Sequence, residues 1–152
     1  MAAILKRLEL PPVWLLACMA LAWLLSRAAP LVSFDGPTAQ WSGRGLILIG
    51  LLLMLWAALQ FLRVRTSIIP REDARALITA GPFRFSRNPI YLADLLILLG
   101  WCLTLGALSG FLTAPLFVWA VNRRFIHGEE AMLRQAFPDA FAAWSAEVRR
   151  WL

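Results

Sequence analysis

Two segments of the 152-residue chain concentrate the side chains that could do chemistry. One is Gly-Pro-Phe-Arg-Phe-Ser-Arg-Asn-Pro-Ile-Tyr-Leu-Ala, residues 81–93. The other is Asn-Arg-Arg-Phe-Ile-His-Gly-Glu-Glu-Ala-Met-Leu-Arg-Gln-Ala-Phe, residues 122–137. In the first, Asn88 before Pro89 predicts a helix start, with an N-cap side chain followed by proline at the first helical position. The N–H groups exposed there suit an anion or a carboxylate. Arg87, Tyr91 and Asp94 follow at four- and three-residue steps and would share a helix face. Asp94 would then be an ionisable group inside an apolar segment, which makes it a functional candidate. In the second, Glu129 and Glu130 sit within two turns of Arg123, Arg124 and His127. A carboxylate there could hold a ligand amine or hydroxyl, or handle a proton.

Each of these residues also has a purely structural reading. Asn88 can simply cap, Tyr91 can be an interfacial aromatic, and Asp94 can pair with an arginine. Two acids at a helix start are favourable for dipole reasons alone. His127 stands without a second His or Cys nearby, so it predicts a salt-bridged or interfacial histidine and no metal site. Cys18 and Cys102 both lie in apolar stretches without paired spacing, which predicts packing residues.

The elements that must position these groups are apolar. Hydrophobic residues make up 61% of the chain and charged residues 16%, against about half and a quarter in soluble domains. A single domain this small cannot hide that much apolar surface in water. The net charge is +6, but the arginines lie between apolar stretches, where cytoplasmic loops of membrane proteins carry them. That distribution argues for a membrane protein and against nucleic-acid binding.

The expected architecture is all-α: a polytopic membrane bundle of about four crossing helices, followed by an amphipathic helical segment. The spans are expected at residues 10–26, 45–62, 89–105 and 109–122. The first is read as an uncleaved helix, because Glu9, Pro11 and Pro12 interrupt the pattern of a signal peptide. Residues 31–43 read as a loop. Residues 63–87 form the most polar stretch, with six arginines against Glu72 and Asp73. Gly106, Ser109 and Gly110 break the long apolar run into a hairpin, and Pro115 is expected to kink its second arm. From residue 123 onward, Leu133, Phe137, Phe141, Trp144, Val148 and Trp151 recur at steps of four and three, an amphipathic stripe split at Pro138. Lys6 and Arg7, the 63–87 loop and the arginines after residue 122 place both termini on the cytoplasmic side. Short tails suggest a prokaryotic plasma membrane.

The two polar segments together resemble the isoprenylcysteine carboxyl methyltransferase and phospholipid methyltransferase family. Its pattern is R-H-P-x-Y, a short hairpin, a double Glu, F-G-x-x-Y and a basic-aromatic end. Here these are Arg87-Asn88-Pro89-Ile90-Tyr91, Glu129-Glu130, Phe137-Pro138 with Phe141, and Val148-Arg149-Arg150-Trp151. The resemblance covers residues 75–152 within one domain of residues 1–152. It implies a membrane-embedded enzyme using S-adenosyl-L-methionine at the cytoplasmic face. Leu77, Ile78, Phe83, Asn88, Pro89, Tyr91 and Glu129 would line the cofactor pocket, with Arg87 and Glu130 flanking it. Arg124 and Glu130 are the candidates for acting on the acceptor. Asn88 departs from the family His and cannot titrate, though it can still hydrogen-bond. Pro138 departs from the family Gly.

The implied acceptor is lipophilic and reaches the site from the bilayer, between the hairpin and the second span. An isoprenylcysteine-like carboxylate, a phospholipid head group and a small thiol all remain open. Phe61, Trp101, Phe111 and Trp119 are candidate walls. Two other readings stand beside this one: an NADPH-dependent membrane reductase of related fold, and a non-catalytic membrane protein.

Overall fold

The computed structural model describes residues 10–34, 36–64 and 76–152. Lys6, Arg7 and the 65–75 part of the polar loop, with Glu72 and Asp73, lie outside the described residues. The described chain is helical: α1 Pro11–Ala28, α2 Pro37–Val64, α3 Pro89–Leu105, α4 Thr113–Val121, α5 His127–Ala136 and α6 Pro138–Glu147. Short 3-10 turns occupy Gly81–Arg84 and Leu108–Leu112, and a π turn occupies Asn122–Ile126.

Proline sets most of the starts. Pro11, Pro37, Pro89 and Pro138 each stand at the first position of a helix, where the missing N–H is lost at no cost and the fixed φ suits the helix. This lengthens the second span relative to expectation. It begins at Pro37 and takes up residues read as loop, giving 28 residues and about 42 Å of helix. Trp41 is therefore a helix residue, and its exposed ring carries the Arg44 guanidinium at 5.2 Å.

The hairpin break falls where glycine permits it. Gly106 ends α3 in the left-handed conformation at φ 67, which a side chain would resist. The Gly106 carbonyl accepts from the Phe34 N–H at 2.8 Å, and the Leu108 N–H donates to Val32 at 2.9 Å. The α1–α2 loop and the hairpin turn thus meet at one end of the bundle.

Two helices, α1 and α2, are long and apolar enough to cross a membrane. The expectation of four such helices is met for these two. α3 is apolar but has 17 residues, about 25 Å at ~1.5 Å per residue against a core of ~30 Å. The fourth segment does not stop at residue 122: α4 has nine residues and runs through the π turn into the polar α5. Pro115 makes no mid-helix kink, because it falls within the first turn of α4, where no internal hydrogen bond is lost.

Small residues press α2 against α3. A Cβ on Gly43 would sit 2.7 Å from the Gly100 carbonyl, and one on Gly100 would sit 2.6 Å from the Gly43 carbonyl. Gly50 meets Ala93 and Ile97 in the same way. This is the close backbone approach by which apolar helices associate without a hydrophobic driving force. It closes the expected route for a lipid between the hairpin and the second span along this stretch. The second span's outer face, including Leu48, Leu52, Leu55 and Leu59, is exposed.

Candidate active site

The polar chemistry collects at the end of the bundle opposite the hairpin turn. Two apolar clusters flank it. One joins Leu15 and Cys18 of α1, Tyr91 and Leu98 of α3, Phe117 of α4, and Phe125 and Ile126 of the π turn. The other joins Ile78 and Phe83 with Phe141 and Trp144 of α6, with Leu77 packed against it. The expected pocket residues are therefore divided. Tyr91 belongs to the first cluster, and Leu77, Ile78 and Phe83 to the second. The Trp144 indole N–H donates to the Phe83 carbonyl at 3.0 Å, so the 3-10 turn before α3 is fastened to the terminal helix.

Between the clusters, the adjacent acids point to different partners. The half-buried Glu129 accepts a hydrogen bond from the Tyr91 hydroxyl at 2.5 Å. This joins the two segments singled out in the sequence. Glu130 turns the other way and is buried. Arg150 grips it with both ends of a fork, Nε to Oε1 at 3.0 Å and Nη2 to Oε2 at 2.7 Å. Arg87 Nη2 stands 3.0 Å from Oε1. Burial raises the Glu130 carboxyl, but the Arg150 hydrogen bonds and the Arg87 charge outweigh it and hold the group below the usual carboxylate range. The same pairing raises Arg150. The bidentate geometry is the strong form of this contact.

The C-terminal residues complete the frame. The Arg87 backbone N–H donates to the Arg149 carbonyl at 2.9 Å, and Arg87 Nη1 to the Ser145 carbonyl at 3.1 Å. Asn88 Nδ2 donates to the Arg150 carbonyl at 3.0 Å. Asn88 does occupy the N-cap position of α3, but its side chain makes no capping bond. The expectation of an N-cap side chain is thus corrected: the amide is drawn away to the C-terminal segment. Pro89 is buried at the first helical position and carries no polar contact.

Arg124 lies on the π turn, its guanidinium 5.0 Å from the centre of the Trp14 ring. His127 Nε2 lies 3.4 Å from Arg150 Nη1 at the exposed edge of the Glu130 network. Among the described residues no group of His, Cys, Asp and Glu could hold a metal ion. The candidate walls turn out to be packing residues. Phe61 meets Phe83 edge-on at 5.7 Å, the Trp101 indole donates to the Met19 carbonyl at 3.1 Å, and Phe111 lies 6.3 Å from Phe34. Trp119 faces outward.

Sequence reasoning missed the groups that ask for a ligand. Trp14 Nε1, Trp151 Nε1 and Asn122 Oδ1 are buried without a hydrogen-bond partner among the described residues. Trp14 and Trp151 pack on the cluster that holds Tyr91 and Phe125, and Asn122 opens the π turn that carries Phe125. Buried polar atoms in native proteins find partners, so two such donors and an acceptor around the Tyr91 and Phe125 cluster fit a polar ligand. Tryptophans in an apolar chain gave no signal of this. The π turn gave none either, although such turns gather at functional sites.

Two helices long and apolar enough to cross a membrane thus lead into a polar end that carries Glu129 and Glu130. The chain belongs to the phospholipid methyltransferase family, whose pattern matches residues 38–140. That match extends over α2, which the motifs alone did not reach. No curated protein and no solved structure matches the chain.

Proposed function

We propose that the protein is an S-adenosyl-L-methionine-dependent methyltransferase whose acceptor is a lipid head group, working at the cytoplasmic face of a membrane with both termini on that side. The observation that carries this reading is the Tyr91–Glu129 hydrogen bond, set beside the unpartnered Trp14, Trp151 and Asn122 atoms. Together they offer an acid for the donor's ammonium group, and donors and an acceptor for its carboxylate, ribose or ring nitrogens. Glu129, Tyr91 and the unpartnered atoms would hold the methyl donor. When bound, it supplies an electrophilic methyl group on a sulfonium. The chain's own contribution is alignment and exclusion of water, with Tyr91 and Phe125 rings 6.2 Å apart forming an apolar side.

Glu130 is assigned a positioning role. Its carboxylate is occupied by two guanidiniums, and it ties Arg87 and the C-terminal segment to α5. Arg124, exposed on the same side, suits the phosphate of a head group. Leu77, Ile78 and Phe83 support the site through the second cluster, and Asn88 fixes the C-terminal residues across it.

Calorimetry with S-adenosyl-L-methionine and its demethylated product on detergent-purified protein tests this reading. Binding weakened by Glu129→Gln supports it. Absence of binding by protein with intact helical circular dichroism overturns it and favours a reductase or a non-catalytic protein.

A further inference from the structure

Two acids are buried among the described residues, Glu130 and Asp94. Glu130 is held by its two arginines. Asp94 is 3% exposed, and no hydrogen bond or ion pair to its carboxylate is made by any described residue. Folding has no use for such a group, because an unpaired buried acid only costs stability. Its position explains it better. Tyr91 precedes it by three residues and Leu98 follows it by four, and both belong to the cluster shared with α1 and the π turn. Ala93, Ile97 and Gly100 occupy the side pressed on α2. Asp94 therefore stands about 4.5 Å further along the α3 backbone than Tyr91, on the apolar side of the polar end.

We propose that Asp94 is the acceptor-side carboxylate of this site: it pairs with a protonated amine head group and takes the proton that must leave before methyl transfer. The proposal rests on the methyltransferase reading and adds a residue to it. An ammonium nitrogen has no free electron pair. Once its proton has passed to the Asp94 carboxylate, the pair on nitrogen attacks the sulfonium methyl. The N–C bond forms as the C–S bond breaks, and the C–S electrons stay on sulfur as a thioether. The product nitrogen keeps its positive charge, and the proton on Asp94 returns to water. An anionic acceptor would need no such base and would be repelled by this carboxylate.

The test uses full-length protein in vesicles of phosphatidylglycerol with phosphatidylethanolamine, supplied with methyl-labelled S-adenosyl-L-methionine. Wild type, Asp94→Asn and Asp94→Glu are compared, with calorimetric donor binding measured on each. The expected result is label in the amine lipid, a loss in kcat of about 100-fold or more for Asp94→Asn, partial recovery with Asp94→Glu, and unchanged donor binding throughout. Transfer by Asp94→Asn close to the wild-type rate would overturn the assignment. So would loss of donor binding with it, which would make Asp94 structural, or a wild-type protein that binds donor but leaves the amine lipid unlabelled. Failure of the wild type to bind donor strikes the methyltransferase reading itself and is thereby told apart.

Discussion

The Tyr91 hydroxyl donates to Glu129 Oε1 across 38 positions of sequence, from the first turn of α3 to the first turn of α5. A phenol-to-carboxylate bond has one ionised partner, which makes it stronger than a neutral one. It fixes the position of the Glu129 carboxyl group relative to α3. Tyr91→Phe should therefore keep the fold and misplace Glu129. We expect donor affinity to fall about 10-fold, from the ~1.5–3 kcal/mol such bonds contribute, and Glu129→Gln to lower it at least as far. Calorimetry on both variants checks this, and unchanged affinity in both would remove Glu129 from the donor site.

Glu130 makes a separate and mainly structural prediction. Its folded pKa is depressed, so its contribution is fully present above the ordinary carboxylate value of about 4.3 and is lost as pH falls through the lower folded value. Thermal melts between pH 3 and 7 should show wild-type stability declining at the acid end, with a shallower decline in Glu130→Gln. At pH 7 that variant should be about 2–4 kcal/mol less stable, because it leaves the Arg87 side of the network uncompensated. Arg150→Ala should cost less, since Arg150 is more exposed than Arg87. Equal melting of Glu130→Gln and wild type at pH 7 would contradict the assignment.

Much of this arrangement was readable from residue types. Pro89 announced a helix start, Pro138 a break between two helices and Gly106 the hairpin turn, and the stripe from Leu133 to Trp144 announced α5 and α6. The double Glu beside the arginines announced the polar end. What stayed hidden was long-range. Nothing local separates Glu129 from Glu130; about 100° of helical rotation sends one to Tyr91 and the other to Arg150. Asn88 read as a cap because caps are local, whereas its real partner is the Arg150 carbonyl, 62 residues away. The start of α2 was obscured by Gly36, Pro37 and Gly43, which read as loop, although Gly43 serves helix contact. Helical continuity through residues 122–126 was obscured by the onset of charge at Arg123.

The glycine contact between α2 and α3 predicts a sharp steric response. Gly100→Val would place its Cβ 2.6 Å from the Gly43 carbonyl, a backbone atom that cannot turn aside. The helices must separate, at a cost of about 1–3 kcal/mol. Gly45→Ala, with open space around its Cβ, should be neutral or slightly stabilising through helix propensity. Melting followed by near-ultraviolet circular dichroism in detergent should rank Gly100→Val below wild type and Gly45→Ala at or above it. Equal melting of the two variants would mean that the helices do not touch at this point.

Asp94 predicts stability and activity moving in opposite directions. A buried acid without a partner among the described residues costs free energy that an amide of the same shape avoids in part, since no charge has to be desolvated. Residues kept for function against stability commonly behave this way when replaced. Asp94→Asn should therefore melt about 2–5 °C above wild type, while losing transfer to the amine lipid. The pairing of outcomes is what discriminates. A variant that melts lower and transfers less would show that the carboxylate supports the bundle. A variant that melts higher and transfers less would show that the bundle tolerates Asp94 at a cost and that the site is what uses it.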